Sequence, residues 1–183
     1  MKEIYLVRHG EVAAPGALVG QKDWPLTEEG RAEIARLKDK LVGVTFDLAF
    51  VSPLIRTQET LAILLGDAPT PVKLEPRLKE ITLGQWDGLT RDEVKKRWPL
   101  HWAWRGKNFV DHPAPGGETF RGLAARVWPA FDEIKAQSFN RALVVAHQAV
   151  NRVILAREWG QPLETLLEIP QPTGAVTIIP VSE

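Results

Sequence analysis

The chain has 183 residues, 44% of them hydrophobic and 25% charged, which suits one soluble globular domain and excludes a disordered or fibrous chain. Lys plus Arg equals Asp plus Glu at 23 each, so no net field attracts a nucleic-acid backbone or an acidic membrane, and any anion site must be built locally. With no cysteine, disulfides, thiolate metal sites and cysteine nucleophiles are excluded. Met1-Lys2-Glu3 leads into Ile4-Tyr5-Leu6-Val7, an apolar run too short for a signal peptide or a membrane span, and the expected location is cytoplasmic.

Residues 3–8 read as a strand, 28–41 as a helix and 46–51 as a second strand. Ser52-Pro53 supplies an N-cap and a proline at the first helical position, opening a helix that turns Leu54, Leu61, Leu64 and Leu65 to the sheet and carries Arg56 one turn inside. Residues 72–74 form a short strand. Thr90-Arg91-Asp92-Glu93 is a capping box whose helix ends near Trp98-Pro99.

Between 99 and 117 periodicity is lost, and Trp102, Trp104 and Phe109 stand among charges, prolines and glycines. Residues 90–117 are expected to form a lid insertion in a single domain spanning 1–183. Phe120, Leu123, Val127, Phe131 and Ile134 recur at helical spacing, with a kink expected at Pro129. Residues 142–146 make a buried strand, 148–159 a helix and 174–180 a last strand. This alternation predicts a three-layer α/β/α fold with a mostly parallel central sheet.

His9 and His147 each end a predicted strand, and in open parallel sheets that edge holds the ligand site. Arg8 adjoins His9, and Arg56 follows another strand end. Two guanidinium forks, two imidazoles and free backbone N–H groups in a strand-to-helix turn suit a phosphoryl group. Gly10 would allow close approach of the backbone to it. A lone histidine ending a strand is more often structural than catalytic, and Arg56 alone would pass for a solvated helix residue; the convergence of four donors carries the reading. Glu80 is not distinguished by its local pattern.

Arg8-His9-Gly10-Glu11, Ser52-Pro53-Leu54-Ile55-Arg56-Thr57, Leu78-Lys79-Glu80-Ile81 with Gly84 and Trp86-Asp87-Gly88, Pro115-Gly116-Gly117-Glu118, and Val144-Val145-Ala146-His147 occur in this order. Together they resemble the motifs of the histidine phosphatase superfamily, which includes cofactor-dependent phosphoglycerate mutases and many small phosphatases. The resemblance implies that His9 is the nucleophile, that Arg8, Arg56 and His147 bind phosphoryl oxygens, and that Glu80 is the general acid and base. It implies a reaction that needs neither metal nor cofactor. It extends the substrate-binding set to Arg8, Gly10, Gln21, Arg56, His147 and Gln148. Val12 and Pro15 stand where the family commonly has Thr or Ser and Asn, and Gln148-Ala149 replaces a frequent glycine pair.

Arg8-His9-Gly10-Glu11-Val12, Gly20-Gln21-Lys22-Asp23, Val44-Thr45-Phe46-Asp47-Leu48 and His147-Gln148-Ala149-Val150 resemble the α-ribazole-phosphate phosphatases of cobalamin assembly. The expected partner is a small phosphate ester, with no nucleic acid and no membrane; Trp98, Trp102 and Trp104 are placed to stack on a flat ring or to pack the lid. A phosphoglycerate mutase and a catalytically silent phospholigand-binding module are the alternatives. Zinc hydrolysis and nucleotide kinase chemistry are disfavoured by the lack of H-E-x-x-H and G-x-x-x-x-G-K patterns.

Overall fold

The computed structural model describes residues 2–181. In chain order it contains β1 (Lys2–Arg8), α1 (Glu28–Lys40), β2 (Leu48–Val51), α2 (Ile55–Leu65), β3 (Val72–Leu74), α3 (Arg91–Arg97), α4 (Pro99–Lys107), α5 (Phe120–Lys135), β4 (Arg141–Ala146), α6 (Gln148–Glu158) and β5 (Val176–Val181). Short 3-10 turns at Pro76–Leu78, Gly84–Trp86 and Leu163–Glu168 fill the longer connections.

The five strands lie in the order β3-β2-β4-β1-β5. All neighbouring pairs are parallel except β1 with β5, which is antiparallel. Strand side chains alternate between faces. Ile4, Leu6, Phe50, Ala142 and Val144 therefore join Leu123, Val127, Phe131, Val150 and Ile154 of α5 and α6 on one side. Tyr5, Val7, Ala49, Val51, Leu143 and Val145 meet Ile34, Leu37, Leu61 and Leu64 of α1 and α2 on the other. The result is the expected three-layer α/β/α fold with a mostly parallel sheet. The carboxyl ends of β1, β2 and β4 lie side by side, since Arg8 is in register with Ala146 and Val51 with Val145.

Two local readings need correction. The helix placed at Ser52-Pro53 begins only at Ile55 and lacks a side-chain cap from its own N-cap residue. The Ile55 N–H instead donates to Asp23 Oδ1 at 2.7 Å, a partner 32 residues away in sequence. Ser52 is free for another contact, described below. The segment after Trp98 is not irregular throughout, because Pro99 starts α4 from the first helical position, where its missing N–H costs nothing. As the periodicity indicates, α5 continues through Pro129 to Lys135. Buried residues on both sides of Pro129, from Phe120 to Ile134, hold the helix on the sheet against the loss of one hydrogen bond.

Beneath α3 and α4 lies a small separate apolar cluster of Trp86, Val94 and Ala114, with Trp98 and Trp102 packed against it. Thr90 and Glu93 form the expected capping box of α3. No helix among the described residues is long and apolar enough to cross a membrane.

Candidate active site

The carboxyl edge of the sheet faces a cavity of about 640 Å³ lined by Arg8, His9, Glu80 and Gln148 among others. Arg56 and His147 are fully buried beside them, and the His9 and His147 ring centroids are 5.2 Å apart. All five proposed catalytic side chains thus meet at one edge, delivered by β1, α2, the turn after Pro76–Leu78 and the end of β4.

His9 Nδ1 lies 2.7 Å from the Gly10 carbonyl oxygen. A carbonyl only accepts, so Nδ1 carries the hydrogen and Nε2 of the neutral ring keeps its lone pair. Burial and then the Arg56 charge push the His9 pKa down to about 3, against an upward pull from the Gly10 hydrogen bond, with a weaker downward push from Arg8. His147 is likewise held well below the ordinary imidazole value, chiefly by burial and then by Arg56 and the other nearby cations. Both rings are neutral at physiological pH.

Glu80 is buried, with Oε1 accepting from the Ile81 N–H at 2.9 Å and Oε2 from the Ala149 N–H at 3.2 Å. Those bonds and the Arg56 and Arg8 charges favour the carboxylate, but burial outweighs them and raises its pKa. A carboxyl so placed holds its proton to higher pH than an exposed glutamate, as a general acid requires.

Arg56 is anchored by Nη1 to the Lys22 carbonyl at 3.0 Å and by Nη2 to the Gly20 carbonyl at 2.6 Å. The same turn is gripped from the opposite polarity by Asp87, which accepts from the N–H groups of Gly20, Gln21 and Lys22 at 2.8, 2.7 and 2.9 Å. Arg8 Nη1 donates to the Gln171 carbonyl. These bonds leave Arg8 Nε, Arg56 Nε and His147 Nδ1 buried without a protein partner. Buried polar atoms are costly unless paired, and the three residues stand close to His9, whose pKa Arg56 and Arg8 lower and whose ring packs edge-on against His147.

Gly10 also fits the packing of α1 against the turn that follows β1. A Cβ there would lie 2.7 Å from the Gly30 carbonyl oxygen and 3.0 Å from Ile34 Cγ1, so the glycine permits the turn after β1 to meet α1. Gln21 donates from Nε2 to the Glu80 carbonyl at 2.9 Å and so ties the turn to the acid-bearing segment. Arg126 donates to the same carbonyl at 3.1 Å while pairing with Glu118 at 2.8 Å. Gln148 donates to the Gln171 carbonyl at 3.3 Å.

Of the tryptophans, Trp86 and Trp102 line the cavity, their rings 5.7 Å apart. Trp98 packs in the small cluster below and Trp104 is half exposed between His101 and His112. Val12 and Pro15 add apolar wall. Arg91, Arg105 and Arg152 also line the cavity, and were missed because each sits in a helix where a single arginine carries no pattern. No group of three or more potential metal-ligating side chains occurs among the described residues.

Residues 4–183 match the family model of the histidine phosphatase superfamily, branch 1. The chain is 32% identical to the adenosylcobalamin/alpha-ribazole phosphatase of Escherichia coli K12, over 98% of this chain and 90% of that protein. It is 33% identical to the 2,3-bisphosphoglycerate-dependent phosphoglycerate mutase of Rhizobium etli, over 97% and 90%. Its fold superposes on the alpha-ribazole phosphatase of Shigella flexneri with a TM-score of 0.93 at 27% identity, covering 99% and 91% of the two chains. The chain therefore belongs to the histidine phosphatase superfamily.

Proposed function

We propose that this protein is a phosphomonoesterase that hydrolyses a small phosphorylated metabolite through a phosphohistidine at His9, with α-ribazole 5'-phosphate as its substrate. The observation that carries the reading is the set of unpartnered buried donors on Arg8, Arg56 and His147 around a neutral His9 whose Nε2 is unprotonated.

In the first step the Nε2 lone pair attacks phosphorus, forming the N–P bond as the ester P–O bond breaks. The Arg8, Arg56 and His147 donors hold the non-transferred oxygens. The Glu80 proton passes to the departing alkoxide. In the second step water attacks phosphorus and gives its proton to the Glu80 carboxylate; the N–P bond breaks, inorganic phosphate leaves and His9 is restored. Gln21 acts in this reading by fixing the Glu80 segment, and Gln148 as part of the cavity wall. Residues 90–117 act as a lid on the single domain, and Trp86 and Trp102 receive a flat ring beside the phosphate.

The phosphatase relatives and their matching fold support hydrolysis of this substrate. The mutase relative supports a second reading, in which Arg91, Arg105 and Arg152 would neutralise a glycerate carboxylate. A hydrolysis screen of α-ribazole phosphate, 3-phosphoglycerate, fructose phosphates and nucleotides decides the substrate. Incubation with 3-phosphoglycerate and a trace of 2,3-bisphosphoglycerate decides the reaction: phosphate released faster than 2-phosphoglycerate forms is the expected result, and dominant isomerisation establishes the mutase.

A further inference from the structure

Ser52, the residue after β2, is completely buried, and its Oγ lies 2.7 Å from His147 Nε2. The only other contact of that oxygen among the described residues is the Leu54 N–H, which points a donor at it from 3.5 Å. A hydroxyl has one hydrogen to give. The acceptor in reach is Nε2, so the serine donates there.

The consequence lies on the opposite side of the ring. His147 is neutral in this setting, since burial and then Arg56 oppose its charge, and a neutral imidazole carries one N–H. If Ser52 donates to Nε2, that hydrogen sits on Nδ1, the buried atom with no protein partner. The other tautomer would put Nε2–H against the serine oxygen, leave the hydroxyl hydrogen without an acceptor, and leave a bare lone pair on the unpartnered Nδ1. A lone pair there would repel a phosphoryl oxygen, whereas an N–H binds it.

We infer that Ser52 is a positioning residue that holds His147 in the Nδ1–H tautomer, so that a neutral histidine serves as a hydrogen-bond donor to the phosphoryl group. The inference rests on the reading of His147 as a phosphoryl-oxygen donor. It also explains the late start of α2: the serine hydroxyl is committed to His147 and Asp23 takes over the first helical N–H. Two imidazoles in one site then have opposite assignments toward the substrate. His9 gives its hydrogen to Gly10 and presents a lone pair, while His147 takes a hydrogen from Ser52 and presents a donor.

The direct test is nitrogen NMR of the protein labelled with 15N-histidine, with the His147 signals assigned by their loss in His147→Asn. Native protein should show protonated Nδ1 and unprotonated Nε2; the reverse pattern overturns the inference without any measurement of turnover. Ser52→Ala should populate both tautomers and weaken binding of inorganic phosphate and orthovanadate about tenfold, while Ser52→Thr, which keeps the hydroxyl, should retain the native tautomer. A Ser52→Ala protein that still shows only Nδ1–H and binds both anions as native does would also overturn it. If His147→Asn binds the anions as tightly as native while the native tautomer is Nδ1–H, the tautomer assignment stands and the role of His147 as a phosphoryl donor falls.

Discussion

Gly10 and Gly30 meet backbone to backbone: a Cβ on Gly10 would lie 2.7 Å from the Gly30 carbonyl oxygen, and one on Gly30 would lie 2.3 Å from the Glu11 carbonyl oxygen. The contact seats α1 against the turn that carries His9, and Thr27 completes it by accepting the Gly30 N–H at 2.9 Å as the cap of α1. Gly10→Ala must push the turn after β1 away from α1. It should destabilise the protein by about 1–3 kcal/mol, the usual cost of overpacking, and lower kcat/KM by displacing the His9 ring. Denaturant unfolding and steady-state kinetics of the variant check both; native stability and native kinetics together would show that the contact yields freely.

The two duties proposed for Glu80 separate with the leaving group. An alkyl alkoxide needs a proton to depart, whereas p-nitrophenolate does not. Glu80→Gln, which keeps the size of the side chain in its buried seat, should slow phosphoryl transfer from a sugar phosphate by ~10²–10⁴-fold and from p-nitrophenyl phosphate far less. With the activated ester the lost base shows in the second step, as a burst of nitrophenolate followed by slow hydrolysis. Native turnover of both esters without a burst would remove Glu80 from the role and pass it to another carboxylate such as Glu11 or Glu118.

The neutral histidines make stability depend on pH in a definite direction. His9 titrates near the ordinary 6.5 in the unfolded chain and at about 3 in the folded one. Between these values the unfolded state binds the proton and the folded state does not, so stability falls as pH drops below 6.5, by up to about 1.4 kcal/mol per pH unit for each such histidine. His147 adds to the effect with the same sign, and Glu80, whose pKa is raised, opposes it by favouring the folded state as protons are added. His9→Asn should therefore lose stability less steeply than the native protein between pH 6.5 and 4 in urea melts. Parallel curves would mean that His9 is not buried as the neutral form.

The central strands β1, β2 and β4 were legible because their alternating faces are both apolar and their ends are marked by turns, and Arg8 and His9 follow from a strand end that the sheet places at its carboxyl edge. Glu80 was legible only through the resemblance. It sits between two 3-10 turns, where neither period operates, and its chemistry comes from burial that a linear sequence does not display. α4 escaped notice because none of its residues is buried, which leaves no apolar stripe to read. Ser52 was misread for a related reason: a serine before a proline satisfies every local rule for a cap, and its actual partner, His147, is 95 residues away. Asp87 shows the same limit, since three backbone donors converge on it from the turn at 20–22.

The proposed mechanism depends most directly on the covalent step at His9. Rapid quench of the native protein with 32P-labelled substrate should trap an acid-labile, base-stable phosphoenzyme that maps to His9, forms and decays at rates compatible with turnover, and needs no added metal. His9→Ala should form none and lose at least ~10³-fold in kcat, as loss of a nucleophile does. Near-native turnover by His9→Ala, or label found on another residue, would contradict the mechanism.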